Sequence, residues 1–577
     1  MYIFSPLFVR KALAFLCFCF AAQLVQAEQA TSDETAKTPQ SELQAEADNA
    51  VEDGEDFPNA EESQEEAEPE SKGPFFSIWE YRIKGNTLLN AKTIELSLSP
   101  YLGTDKNIDD IYDAADRLKE VYRAQGYPSI DVIVPPQDIV NGIVYFDVLE
   151  GKVSRLRVSG SRYFSLRKIK SEVSSIQQGQ PVHIPSFQAD INELNRKTPN
   201  LRVTPVFKQG REPGTVEIDL RVRDEFPINS SVELNNHATK NTTDTRLSAS
   251  FGYDNLWLSN HSWSLQLQTS PEDTDEVKVL ATTYIFPGFD SASKVALYAV
   301  KSDSEISAVG ESVVIGNGEI FGFRYVSPLN STRTYLHSIS AGIDYKDFGE
   351  TISVLGSDTS EVSRPITYAS FTGLYNATLL GEDASTKLGF GLTFGIRNFP
   401  GTSEETEYND KRFSAKANFI HLQAKVNRQD RLDSGWRINS RAKVQLADSP
   451  LISNEQFSAG GNKTVRGYYE SQQLADDGLI ASVELESKSY ASMLSSDINS
   501  LRFHTFLDAA YLVVQDEIQS FGKIGDGEYS ISSVGIGSRL EAYKALTADL
   551  EIGYPLEDNG EVESGDVKVH ASIEYQF

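Results

Sequence analysis

Val567-Lys568-Val569-His570-Ala571-Ser572-Ile573-Glu574-Tyr575-Gln576-Phe577 closes the chain with an unbroken two-residue period. In an extended strand, Val567, Val569, Ala571, Ile573, Tyr575 and Phe577 share one face, and Lys568, His570, Ser572, Glu574 and Gln576 share the other. One face suits lipid and the other water. Working back from this end, similar alternation recurs at 479–486, 436–446, 387–396, 335–345, 276–285 and 244–253, among others, with Asp, Asn, Gly and Ser between the runs. About sixteen such segments fit between 228 and 577, at the ~22 residues per strand and loop usual for an outer-membrane barrel. The pattern predicts a transmembrane β-barrel of about 16 antiparallel strands. A soluble β-sandwich or β-helix is the alternative. Strand lengths near the ~9 to 11 residues that span a bilayer, and 30 Phe with 25 Tyr to furnish interfacial girdles, favour the barrel.

Composition is compatible with that reading. The 577 residues carry 83 acidic and 53 basic side chains, a net charge of -30, which argues against a nucleic-acid partner, because phosphate binding needs basic patches. A mean hydropathy of -0.34 excludes a bundle of membrane helices but not a barrel, whose strands average apolar with polar. Residues 1–27 read as an export signal: Arg10 and Lys11, an apolar run over 13–24, and the small-residue site Val25-Gln26-Ala27. The run is too short for a membrane anchor. Both cysteines, Cys17 and Cys19, lie inside it, so the exported chain is expected to have no disulfide and no thiolate-bound metal. Residues 28–72 hold 16 acidic residues against Lys37 and Lys72, the composition of a solvated acidic linker; 34–51 has few helix breakers and could form a conditional helix.

Residues 73–227 read as a tandem repeat of ~75 residues. Trp79, Tyr81 and Ile83 lead into Gly85-Asn86, as Leu156 and Val158 lead into Gly160-Ser161; Ile94 corresponds to Ile169 and Leu98 to Val173. In the first copy, 73–151, Asn107 can cap a helix carrying Ile108, Ile111, Tyr112, Ala115, Leu118 and Tyr122 at 3.6-residue spacing, stopped by Gly126-Tyr127-Pro128. Asn141-Gly142 signals a type I′ hairpin between a strand at 138–140 and one over 143–148. In the second copy, 152–227, Phe187, Ile191 and Leu194 mark a helix, and 203–207 with 216–222 a closing hairpin. Charge separates the copies: 14 basic and 8 acidic residues in 152–227, 7 and 12 in 73–151. Neither copy offers paired carboxylates or a His-rich helix face. Nor does the chain contain a metallopeptidase helix, Walker loop or nucleophile elbow, and its seven His lack metal-ligand spacing. Binding is therefore expected rather than catalysis, with no cofactor and no metal.

Two such modules before a barrel ending in Phe577 resemble the superfamily of outer-membrane assembly and translocation proteins. Gly460-Gly461-Asn462-Lys463-Thr464-Val465-Arg466-Gly467-Tyr468 is similar to that superfamily's Val-Arg-Gly-Tyr motif (Val465, Arg466, Gly467, Tyr468). Within it, Tyr127-Pro128, Val134-Pro135-Pro136-Gln137 and 138–142 resemble the first polypeptide-transport-associated (POTRA) domain of the two-partner secretion transporters, the haemolysin and filamentous-haemagglutinin exporters. Asn195 and 210–214 resemble the second. The resemblance spans roughly 75–577 and implies a loop of about 450–478 folded into the lumen between strands eleven and twelve. It also implies that Arg466 pairs with the Asp of a Phe-x-Asp-x-Gly pattern near strand thirteen. Phe506 and Asp508 match this pattern; Ala510 stands where the family has Gly, which puts a close backbone approach there in doubt. Arg502, His504, Phe506 and Asp508 share the more polar strand face, which assigns Asp508 to the lumen. Tyr575 and Phe577 correspond to the C-terminal insertion signal.

The implied function is a pore in the bacterial outer membrane with POTRA-like domains in the periplasm. It would recognise a large β-rich secreted protein and translocate it unfolded to the surface (type V, two-partner secretion). Implied partners are that cargo, outer-membrane lipid, periplasmic chaperones and the barrel-assembly machinery. The alternatives are a barrel-assembly factor and a porin with periplasmic modules.

Overall fold

The computed structural model describes residues 75–577 apart from positions 199, 213, 241, 291, 305, 310, 311, 316, 350, 354–360, 519–523 and 561. The export signal at 1–27, the acidic linker at 28–72 and its conditional helix lie outside the described residues. The described residues fall into two units, 75–227 and 228–577.

In the first copy of the repeat, β1 (Phe76–Ile78) leads into β2 (Glu80–Lys84), then α1 (Ala91–Leu98), β3 (Gly103–Lys106), α2 (Ile108–Ala124), β4 (Ile130–Ile133) and β5 (Ile143–Glu150). β2 runs parallel to β5 and β4 antiparallel to it, in the order β2-β5-β4, and β1 pairs with β3. Asn107 and Asp110 form a reciprocal capping box at the start of α2. Ile111, Ala115, Leu118 and Tyr122 pack from α2 onto Val144, Phe146 and Val148. Ile108 and Tyr112 depart from the expected core stripe: both are more than half exposed, because Ile108 sits in the first turn and Tyr112 about 100° around the helix from Ile111.

The hairpin at 138–148 also differs from expectation. Asn141 and Gly142 both have positive φ, 58° and 72°, as a type I′ turn requires. The preceding segment, however, contributes only the single bridge Val140–Ile143, and the strand paired to β5 is β4. Pro135-Pro136 interrupts the ladder, since proline has no N–H to donate. The Gln137 side chain substitutes for a strand: its Nε2 donates to Tyr145 O at 2.8 Å and its Oε1 accepts from Tyr145 N at 2.7 Å.

The second copy contains β6 (Lys152–Ser159), α3 (Leu166–Glu172), α4 (Ile184–Lys197), β7 (Leu201–Gln209) and β8 (Thr215–Asp224), ordered β6-β8-β7 with β6 parallel to β8. Ile169, Val173, Phe187, Ile191 and Leu194 meet Ile218, Leu220 and Val222 in its core. The repeat extends to backbone detail. Gly85 and Gly160 have φ of 84° and 92°, and a Cβ on either would lie 2.4 Å from a carbonyl oxygen, that of Val148 and that of Val222 respectively. Just beyond, Glu150 accepts from Thr87 N and Oγ1, both at 2.6 Å, while Asp224 accepts from Arg162 N at 2.8 Å and Tyr163 N at 2.7 Å. An amide clasp recurs as well: Asn195 Oδ1 accepts from Val203 N at 2.7 Å and its Nδ2 donates to Val203 O at 3.2 Å.

Residues 228–577 close into a barrel of sixteen strands, all neighbours antiparallel. The first strand (Ile228–Asn235) pairs with the sixteenth (Lys568–Gln576) over five residue pairs, from Asn235–Ser572 to Ser231–Gln576. Asn236 lengthens this seam with its side chain: Nδ2 donates to Val569 O and Oδ1 accepts from Ala571 N, each at 2.8 Å. On the sixteenth strand, Val569, Ile573 and Tyr575 are exposed on the outer wall, as is Phe577 just past its end, while His570 is buried on the inner one. The two walls thus follow the alternation of residues 567–577 in the sequence. Elsewhere on the outer wall Leu267, Phe321, Phe323, Phe390, Phe503 and Leu507 are exposed. Lipid makes that distribution favourable where water would not.

Candidate functional site: a lumenal loop locked by arginine

The eleventh barrel strand (Arg437–Ala447) and the twelfth (Asp477–Glu486) are joined by a long loop that turns back into the barrel. Its stem is a small hairpin of 457–459 with 473–475. Asp476, at the end of the loop, accepts from Leu451 N and Gln515 N, both at 2.8 Å, and from Arg412 Nη2 at 2.6 Å. Glu455 accepts from Lys346 Nζ at 2.6 Å and Tyr368 Oη at 2.7 Å. Two buried carboxylates thus anchor the base to the wall.

At the tip, Val465, Arg466 and Tyr468 are at most 2% exposed. Arg466 grips Asp508, on the thirteenth strand (Ile498–Ile518), with two nitrogens: Nε to Oδ2 at 2.7 Å and Nη2 to Oδ1 at 3.0 Å. Its backbone N–H also donates to Asp508 Oδ2 at 3.1 Å. Nη1 reaches Glu484 Oε2 at 2.9 Å on the twelfth strand and Glu551 Oε1 at 3.0 Å on the fifteenth (Leu546–Pro555). The guanidinium lies 3.5 Å from the Phe506 ring centroid, where the ring quadrupole favours a cation. Taking so many charges out of water is costly, and good geometry with further hydrogen bonds is what offsets it; the planar fork of arginine reaches three carboxylates at once, which an ammonium could not, and Glu551 Oε2 is left without a hydrogen-bond partner among the described residues.

The remaining motif residues extend the grip around the wall. Gly467 N donates to His570 Nε2 at 3.0 Å on the sixteenth strand. Tyr468 Oη donates to Glu557 O at 2.8 Å and lies 3.1 Å from Ser532 O. Gly467 has φ of 92° and faces Gly553, on which a Cβ would sit 2.5 Å from Gly467 N. The close backbone approach is therefore made at Gly553, while Ala510 packs its methyl in an apolar cluster with Val465 and Tyr468. Tyr575 and Phe577 lie away from the loop; their rings meet at 4.9 Å, and Phe577 N donates to Ser230 O at 2.9 Å across the seam.

The sequence motifs name Arg466, Phe506 and Asp508. They do not name Glu484, Glu551 or His570, which barrel closure brings in from other strands. Among the described residues, Glu484, His504 and Glu551 also converge their ligand atoms within 4.8 Å. His504 Nε2 is 3.1 Å from Glu551 Oε1. The Arg466 guanidinium, hydrogen-bonded to both glutamates, provides the positive charge that a metal ion would bring, so the cluster reads as an arginine cage. Beside it opens a cavity of about 730 Å³, its lining including Arg437, Arg441, Glu486, Arg502 and Arg539.

A sixteen-stranded barrel with a loop docked inside it, preceded by strand-and-helix modules, defines the class: an outer-membrane β-barrel transporter bearing POTRA domains. The chain belongs to the haemolysin secretion/activation protein family ShlB/FhaC/HecB, whose family model matches residues 214–539, and the ShlB-type POTRA model matches 76–151. It is similar to the heme/hemopexin transporter protein HuxB of Haemophilus influenzae, 22% identical over 496 residues covering 85% of each chain. It is also similar to the outer membrane transporter CdiB of Dickeya dadantii, 21% identical over 70% of this chain and 71% of that one. The solved structure of CdiB from Escherichia coli matches with a TM-score of 0.60 at 18% identity, over 90% of this chain and 93% of that one. The family places the barrel in the outer membrane and the POTRA domains in the periplasm.

Proposed function

We propose that this transporter captures a large β-rich secreted partner in the periplasm through the modules at 73–151 and 152–227 and passes it unfolded through the barrel to the cell surface. The Arg466 cage then serves as the lock on the lumenal loop. The observation that carries this reading is the burial of Arg466 against carboxylates from three strands of the wall: a loop so held occupies the lumen, and its tip can be released by breaking one charged cluster while Asp476 and Glu455 keep its base in place. Periplasmic transport has no nucleotide to draw on, so binding at the modules and folding of the cargo outside would supply the direction. The edge strands are β2 and β4 in the first sheet and β6 and β7 in the second, and an extended cargo segment can add to such an edge by backbone hydrogen bonds. Periplasmic chaperones and the barrel-assembly machinery complete the proposed partners, the first keeping cargo unfolded and the second inserting the barrel.

A second reading is favoured by the five-pair seam: a barrel that opens sideways and inserts other barrels. Searching the coding regions beside its gene for a large exoprotein, and expressing the chain with that candidate in a host lacking both, separates the readings. Surface appearance of the exoprotein only when the chain is present supports export. Loss of other barrels on depletion, with the exoprotein unaffected, supports assembly, and altered sugar or ion uptake alone supports a porin.

A further inference from the structure

The sheet of the second module turns one face to its helices and the other to solvent, and the solvent face is arginine-rich. Strand register places Arg155 beside Glu217, Arg157 beside Asp219 and Ser159 beside Arg221; on the other side of β8, Lys208 stands opposite Glu217, Thr204 opposite Arg221, and Arg202 opposite Arg223. Arg155, Arg157, Arg202, Lys208, Arg221 and Arg223 are all exposed. Lys208 approaches Asp219 at 3.9 Å, and the five arginines make no ion pair among the described residues. Asp219 is further engaged by the Ser159 hydroxyl at 2.8 Å. At the Arg202, Arg221 and Arg223 end the next carboxylate in the alternation is Glu225, exposed just past the end of β8, and Arg202 sits directly across from Arg223, an arrangement of like charges that destabilises a sheet. In a chain of net charge -30, such a concentration of unpaired cations needs an anionic occupant.

The same chain contains one. Residues 28–72 carry 16 carboxylates against two lysines, densest at Glu52-Asp53-Gly54-Glu55-Asp56 and Glu61-Glu62-Ser63-Gln64-Glu65-Glu66, and they join directly to the module that precedes this sheet. We propose that the arginine face of β6, β7 and β8 is a docking surface for the acidic segment 28–72 of the same chain, occupied when no cargo is present. Covalent attachment presents the segment at an effective concentration of order mM, and its ~45 residues can extend well over 100 Å, far more than one small module. Contacts of this kind are screened within a Debye length of ~10 Å at 0.1 M salt, so occupancy is salt-sensitive and displaceable.

The test uses the exported chain purified in detergent, without cargo, from which Cys17 and Cys19 are expected to have left with the export signal, as checked by mass, so that introduced thiols stand alone. Ser63→Cys and Thr204→Cys, the latter on the face opposite Arg221, are combined, and disulfide yield under mild oxidation is measured at 50 and 500 mM salt. The expected result is efficient intramolecular cross-linking at low salt, its loss at high salt, and its loss when Arg202, Arg221 and Arg223 are changed to Glu. Because that triple variant could misfold, Glu61, Glu62, Glu65 and Glu66 are changed to Gln in a parallel chain, which must lose the cross-link too. Equal yields in all four conditions, or none at low salt, would overturn the proposal. Arginine-dependent binding to anionic phospholipid vesicles with no cross-link would overturn it in favour of a lipid surface.

Discussion

Arg466 is the residue on which the lumenal loop turns. Removing one partner of a buried, hydrogen-bonded charge pair costs ~3 to 5 kcal/mol, since the other charge is left without compensation. Arg466→Ala and Asp508→Ala should therefore each release the loop, read as new protease or thiol-reagent access at 460–470, and the double variant should be no worse than either single. Strictly additive effects would separate the two residues. Arg466→Lys should rescue little, because a single ammonium cannot bridge Asp508, Glu484 and Glu551 at once. Gly553 is the second sensitive point: a Cβ there would lie 2.5 Å from Gly467 N and 2.7 Å from its Cα. Gly553→Val should displace the loop tip without unfolding the wall, measurable as the same gain of access; unaltered protection would show that the backbone approach is not needed. Arg466 and Asp508 were legible as motif residues, whereas Glu484, Glu551 and His570 were not. They stand 18, 85 and 103 positions away from the loop residues they bond, and only the closed circle of strands brings them together.

At the scale of elements, alternation was the informative signal, because a strand with lipid on one face and water on the other must write that difference into every second residue. The sixteenth strand shows it most cleanly. Deleting Phe577, which bonds Ser230 across the seam and ends the apolar face, should lower the amount of heat-modifiable barrel in the membrane; unchanged assembly would make it one more lipid-facing side chain. Less legible was the hairpin at 138–148. Its turn residues announced themselves through their need for positive φ, but a Gln137 side chain acting in place of a strand leaves no periodic trace. The modules themselves differ in charge, and part of that difference lies on the arginine face of β6, β7 and β8. Deleting 152–227 should abolish the salt-sensitive part of cargo binding, and deleting 73–151 should spare it. Equal losses from both deletions, insensitive to salt, would remove charge from the account.

The whole molecule joins POTRA domains to a membrane barrel into whose lumen its own loop folds. Family membership and the closed barrel define a transporter, and in the proposed function the arginine cage is the lock on its lumenal loop. Sequence patterning carried the architecture because barrels and repeats are periodic, but the cage is a property of closure and emerges only in three dimensions. The most direct measurement is the rate at which the partner exoprotein reaches the cell surface through Arg466→Ala, with membrane-inserted barrel quantified in the same cells. Insertion at the wild-type level with export abolished is the result predicted here; export at the wild-type rate would contradict the lumenal-loop mechanism.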